Sequence, residues 1–212
     1  MARTEPFDKY LEEYEQWFEE HQFVYESELE AVRQFIPKVG NGIEIGIGTG
    51  RFALPFGIKE GVEASCVMRH FATHKGLEVY DGIAEELPLP DEIYDFVLMV
   101  TTICFVDNIN KAFHEVRRIL KPGGNFIIGF VDRDSPLGKT YGAIKDQNKF
   151  YRYATFYSTD EIKKMLERNW FRNIEVIQTV FGELPYIHNL QRFKKGYGEG
   201  GFVVMNATKV VE

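Results

Sequence analysis

An α/β fold, a doubly wound sheet with helices on both faces, is predicted for this 212-residue chain by three observations. Short apolar runs alternate with segments of helical period through residues 40–131. The run Tyr94-Asp95-Phe96-Val97-Leu98-Met99-Val100 is apolar nearly throughout, as in a parallel strand buried on both faces. Gly46, Gly48 and Gly50 follow directly on Ile43 and Ile45 and precede a helix start, which makes a strand, a sharp turn and a helix. Five parallel strands are expected, with a C-terminal antiparallel pair completing a seven-stranded sheet.

Hydrophobic residues make up 44% and charged residues 27%, the composition of an ordinary soluble globular domain. One domain over 1–212 is expected, in four parts: an N-terminal helical segment (1–37), a core (38–131), an insert (132–157), and a final helix with a strand pair (158–212). In the first segment Phe7, Tyr10, Leu11, Tyr14, Trp17 and Phe18 recur at helical spacing, opposite a glutamate face. That aromatic face either packs statically on the core or closes as a lid over a ligand. Ser27-x-x-Glu30 reads as a capping box opening a second helix, which Pro37 stops.

After the glycine loop, Pro55 and Gly57 leave room for a short helix only. Gly61-Val62-Glu63 is the next strand. A helix from Ser65 turns Met68, Phe71 and Ala72 inward and ends near Gly76, and Leu77–Tyr80 is a third strand. Residues 82–90 form a loop and Tyr94–Val100 the fourth strand. Asn110 is placed to cap a helix with Ala112, Phe113, Val116, Ile119 and Leu120 on one face. Lys121-Pro122-Gly123-Gly124 is a turn before the fifth strand, Asn125–Val131. Ser158-x-x-Glu161 caps a last helix, and Ile174–Phe181 pairs with Phe202–Ala207.

Charge narrows the partners. Ten acids against two bases leave −8 in residues 1–30, and the remainder nets +1. A near-neutral body without a basic stripe argues against a nucleic-acid partner. No apolar run approaches the roughly 20 residues of a membrane span, and the N-terminus has no apolar signal core. Cys66 and Cys104 lie apart in apolar contexts, so reduced core cysteines in a cytoplasmic protein are expected. The five histidines are scattered without metal-ligand spacing, so no metal is expected.

The loop itself separates two kinds of ligand. A dinucleotide fingerprint needs G-x-G-x-x-G, and its third glycine position is Arg51 here. Glu44, two residues before Gly46, would repel a pyrophosphate but suits the ammonium of an amino acid moiety. Glu63 stands at the tip of the neighbouring strand, where its two oxygens can accept both hydroxyls of a ribose.

These residues resemble the class I S-adenosylmethionine-dependent methyltransferases, and within them the small-molecule, ubiquinone/menaquinone-methyltransferase-like branch. The first motif is matched by Ile43-Glu44-Ile45-Gly46-Ile47-Gly48-Thr49-Gly50 and the second-strand acid by Glu63 in Gly61-Val62-Glu63-Ala64-Ser65. Ala84-Glu85-Glu86-Leu87-Pro88-Leu89-Pro90-Asp91 with Tyr94-Asp95-Phe96-Val97, and then Glu115–Gly124, match the later motifs in order. The resemblance implies a Rossmann-like fold, S-adenosylmethionine as cofactor and a small-molecule methyl acceptor. It implies cofactor contacts from Glu44, Gly46, Gly48, Gly50 and Glu63. The family's frequent Asp in the third-strand loop is replaced by Ile83, so the adenine would rest on backbone groups near Ala84 and Glu85 and on Ile83 and Ala64. Thr101, at the carboxyl edge of the sheet, is placed either to touch the methionine portion or to bond the backbone.

Methyl transfer from a sulfonium is an in-line displacement that asks the protein mainly for alignment and exclusion of water. Asp132, Tyr141 and His188 are the candidates for a base toward an amine or hydroxyl acceptor. The aromatics Tyr141, Phe150, Tyr151, Tyr153, Phe156 and Tyr157 either roof a pocket or fill the core. A non-catalytic module binding S-adenosylmethionine or S-adenosylhomocysteine is the alternative reading, and an oxidoreductase a weaker third.

Overall fold

The computed structural model describes residues 4–210. Three helices come first: α1 (Glu5–Lys9), α2 (Leu11–Glu20) and α3 (Gln22–Arg33). The sheet region then runs β1 (Gly42–Ile45), α4 (Ala53–Phe56), β2 (Glu60–Glu63), α5 (Cys66–His74), β3 (Glu78–Asp81), β4 (Tyr94–Val100), α6 (Ile109–Ile119) and β5 (Leu120–Val131). The rest of the chain gives α7 (Pro136–Ile144), α8 (Thr159–Arg168), β6 (Phe171–Thr179), β7 (Lys194–Lys195) and β8 (Phe202–Lys209).

One mixed sheet holds all the strands in the order β3-β2-β1-β4-β5-β8-β6-β7. β1 to β5 run parallel, and β8 joins β5 and β6 antiparallel to both. The sheet therefore has eight strands and not the expected seven. The extra strand is the two-residue β7, which pairs with Ile177 and Gln178 of β6. Two lysines carry no strand pattern, so only the turn of the chain at the sheet edge creates it. Residues 82–93 cross from β3 to β4 without a helix, in keeping with the loop expected over 82–90.

Alternation along the strands sorts the core into two layers. Val97 and Met99 of β4 face one layer with Phe113 and Val116 of α6 and Ile162 and Leu166 of α8. Phe96, Leu98 and Val100 face the other, with Phe18, Val24, Ala31 and Val32 of the N-terminal helices and Ala72 of α5. Helices thus cover both faces.

Local signals had mixed outcomes. The capping box before α8 forms as expected: the Ser158 hydroxyl accepts from the Glu161 N–H at 3.3 Å, and the Glu161 carboxylate from the Ser158 N–H at 2.8 Å. Ser65 caps α5, and Gly57 closes α4 in the left-handed region. Ser27-x-x-Glu30, in contrast, lies inside α3, where the Ser27 hydroxyl donates back to the Phe23 carbonyl at 2.5 Å. Asn108 and not Asn110 caps α6, accepting from the Lys111 N–H at 3.1 Å. The expected helix over residues 7–18 is broken at Tyr10 into α1 and α2. Residues 121–124 are absorbed into β5, whose pairing with β4 shifts register there. Cys66 is exposed and not a core residue. Replacing Ser158 by alanine should lower stability by about 1 kcal/mol, read as a shift in urea midpoint with an unchanged slope.

Candidate functional site

A cavity of about 560 Å³ lies at the carboxyl ends of β1, β2, β4 and β5, beneath α1 and α2. Open α/β sheets bind ligands at this edge. Its floor is the glycine loop. Gly46 and Gly48 have φ of +71° and +55°, which an L side chain rarely adopts. A Cβ on Gly46 would lie 2.4 Å from Thr102, and one on Gly48 would lie 3.2 Å from the Tyr14 hydroxyl. The backbone is therefore bare where it meets the cavity. Gly50 is also left-handed but packs on Leu77, away from the lining residues.

Two carboxyls stand on this floor. Glu63, at the end of β2, accepts from the Gly48 and Ser65 N–H groups, each at 2.8 Å. Glu44, on β1, is 2% exposed, and its Oε2 has no hydrogen-bond partner among the described residues. Burial raises the Glu44 carboxyl well above the usual range, against a backbone hydrogen bond from Ala53. Burial also raises Glu63, with the N–H groups of Ser65 and Gly48 opposing. Ala64, Ile83, Ala84, Glu85 and Thr101 line the same cavity. Glu85 also accepts from the Asp107 and Asn108 N–H groups at 2.7 and 3.0 Å, which ties its loop to the start of α6. Thr101, a β-branched residue at φ +49°, donates its N–H to Gly129 across the sheet edge at 2.7 Å.

The N-terminal helices close the cavity from above. Glu15 accepts from the Thr49 hydroxyl at 2.5 Å and from Arg51 at 2.7 Å, so Arg51 fastens α2 to the loop. Arg51 also lies over the Phe18 ring at 5.0 Å. Asp8 accepts from the Ser65 hydroxyl at 2.6 Å, and Glu13 pairs with Lys149. Phe7 packs edge-on against Phe105 and tilted against Phe150, which joins α1 to the insert. The Tyr14 phenol is pushed above its ordinary range by burial and by Glu44 and Glu63, so it remains protonated over the loop.

Of Asp132, Tyr141 and His188, Tyr141 lines the cavity. Asp132 is buried and bound to Thr159 and the Asp134 N–H, where it ties the end of β5 to α8. His188 is exposed. Burial pushes the Cys104 thiol up to about 12, which keeps it uncharged.

A buried carboxyl that the motifs do not mark also lines the cavity. Glu28 of α3 is 6% exposed, and burial pushes it up to about 8. Its signal is present in the sequence: Val24, Glu28, Ala31 and Val32 form one buried stripe, and a lone acid interrupts it.

Glu28, Glu44 and Glu63 are all raised, so the unfolded chain releases these protons first and stability falls as pH climbs. The stability they confer is fully present below the ordinary carboxylate range. It is lost as pH rises, through about 8 for Glu28, at up to about 1.4 kcal/mol per pH unit for each group. Calorimetric melting of the protein alone should therefore show Tm falling from about pH 5 to about pH 8, and Glu28→Gln should flatten part of that fall.

Comparison with known proteins places this site in a family context. A model described as "Methyltransferase domain" matches residues 43–128. An uncharacterized protein of Methanocaldococcus jannaschii is 48% identical over 204 residues, 96% of this chain and 98% of its own length. The crystal structure of a Thermotoga maritima protein, described as a SAM-dependent methyltransferase and possible histamine N-methyltransferase, superposes with a TM-score of 0.94 at 48% identity. That match covers 97% of this chain and 98% of the other. The ubiquinone/menaquinone biosynthesis C-methyltransferase of Rickettsia rickettsii is 37% identical over 86 residues, 41% of this chain and 32% of that protein.

Proposed function

Because the chain belongs to the S-adenosylmethionine-dependent methyltransferases, we propose that it transfers a methyl group to a small-molecule acceptor held in the cavity beneath α1 and α2. The observation that carries this reading is Glu44, whose buried oxygen lacks a partner at the cavity wall. An orphaned carboxylate oxygen is costly unless a ligand satisfies it, and the ammonium of the cofactor is such a ligand.

The remaining residues fit the same cofactor. Glu63 is to accept the ribose hydroxyls while its bonds to Gly48 and Ser65 hold the loop in shape. The bare backbone of Gly46 and Gly48 allows close approach, and Gly50 supplies the turn behind them. Ala64 and Ile83 are to flank the adenine, with backbone groups of Ala84 and Glu85 reading its edge. Thr101 is to border the methionine portion. Bound there, S-adenosylmethionine supplies a methyl group already activated for in-line displacement.

The chain's own task is then to align an acceptor and exclude water. Of the N-terminal segment, α1 and α2 serve as the lid, through Asp8, Glu13 and Glu15, and the insert 132–157 supplies the acceptor wall through Tyr141 and Tyr151. Tyr141 is raised by burial and so orients the acceptor as a protonated phenol. A cavity of this volume suits small ligands. Mass spectrometry of ligand copurified with the protein, followed by S-adenosylhomocysteine release against a panel of small acceptors, tests the reading. Absence of S-adenosylhomocysteine binding by calorimetry would overturn it.

A further inference from the structure

Buried carboxyls reach the cavity from two separate parts of the chain, and the cofactor accounts for one set of them. Glu44 and Glu63 sit on β1 and β2 with the glycine loop. Glu28 comes from α3, which packs on β6 and β8, and it shares the cavity with Leu137 and Tyr141 from beyond β5. Among the described residues no hydrogen bond or ion pair engages its carboxyl, and burial is the cause of its shift. The cationic side chains lining the cavity are committed elsewhere, Arg51 to Glu15 and Lys149 to Glu13. An unpaired carboxyl in such surroundings is costly, and a leucine would continue the Val24–Ala31–Val32 stripe without that cost. Aromatic side chains share the cavity with it: Trp17 and Phe18 line it from α2, Tyr141 and Tyr151 from the insert, and burial together with the charge of Glu28 raises Tyr25, Tyr141 and Tyr151. A buried carboxyl in a cavity lined by aromatic side chains, without a cation of the protein's own, is suited to receive a cation from outside.

We propose that Glu28 is the acceptor-binding carboxyl of this cavity, and that the acceptor is a small amine whose ammonium pairs with Glu28 while its apolar body lies against Trp17, Phe18 and Tyr141. This deepens the methyltransferase reading and rests on it for the word acceptor, while the amine site itself stands on Glu28 alone.

Calorimetric titration separates the two. Tyramine, tryptamine and histamine, each beside its alcohol counterpart, are titrated into wild-type protein and Glu28→Gln, with and without saturating S-adenosylhomocysteine. At least one amine is expected to bind wild type about tenfold or more tightly than its alcohol. In Glu28→Gln that preference should shrink to about twofold or less, with S-adenosylhomocysteine affinity unchanged. Glu28→Leu, of similar size and apolar, gives the same reading should the amide disturb folding. An amine preference absent from wild type, or surviving in both variants, overturns the proposal. Failure of S-adenosylhomocysteine to bind wild type would overturn the methyltransferase reading instead, and the titrations without it would still decide the role of Glu28.

Discussion

Valine at position 46 is expected to weaken S-adenosylhomocysteine binding by about a hundredfold or more. Two effects add. A β-branched residue forced to φ +71° costs about 1–2 kcal/mol. Its Cβ would also sit 2.4 Å from both Oγ1 and Cγ2 of Thr102, an overlap costing typically about 1–3 kcal/mol. The loop can relieve both only by moving off β2, where the Gly46 N–H bonds the Val62 carbonyl at 2.8 Å. Isothermal calorimetry reads the affinity, and a thermal melt reads the accompanying loss of stability. Gly142→Ala is the control: a Cβ there meets nothing within 4 Å, so affinity should be unchanged. Equal affinity in Gly46→Val would remove the loop from the proposed site.

Glu63→Ala should cause a loss of similar size by a different route. Its carboxylate holds the Gly48 and Ser65 N–H groups, and leaving either buried donor without an acceptor costs about 1–3 kcal/mol. The same substitution removes both acceptors intended for the ribose. Glu63→Gln retains one oxygen and should fall between wild type and alanine in affinity. A graded series, wild type above Gln above Ala, in S-adenosylhomocysteine titrations is the expected result. Affinity that stays constant while the melting temperature drops would make Glu63 a purely structural brace.

The parts of this molecule legible in its sequence are those where one local signal has one physical solution. The run from Ile43 to Gly50 admits little besides a strand and a left-handed turn, and it forms both. Ser158 and Glu161 satisfy each other's backbone without help from any other element, so their box survives folding. Ser27 and Glu30 spell the same pattern, but tertiary packing decides there: the Gln191 N–H arrives from 164 residues away to bond the Ser27 hydroxyl. Asn108 and Asn110 are equal candidates on composition, and it is Asn108 that takes the extended backbone of the cap, at φ −135° and ψ +92°. β7 is invisible because its two lysines are set by a neighbour's edge and not by their own preference. In the site, Glu44, Gly46, Gly48, Glu63, Ala64, Ile83, Ala84, Glu85 and Thr101 follow strand ends that local pattern marks, and they line one cavity. Glu28 escapes such a reading, because a capping box at Ser27 and Glu30 would put the helix start where α3 has its buried stripe.

The position of β8 governs how the protein is made. A ribosome delivers β6 and β7 before β8, but in the sheet β8 lies between β5 and β6. Until residues 202–209 emerge, the growing chain has no partner to join β6 to the parallel strands. Both Val131 to Asn125 and Thr179 to Phe171 then present open edges. Phe202, Val203, Val204 and Met205 finally fill both layers at once, so the last strand acts as a keystone. Vectorial folding can therefore assemble β1 to β5 early, while β6 and β7 wait for a distant segment. That waiting interval is when this chain is most exposed to pairing with a second copy of itself.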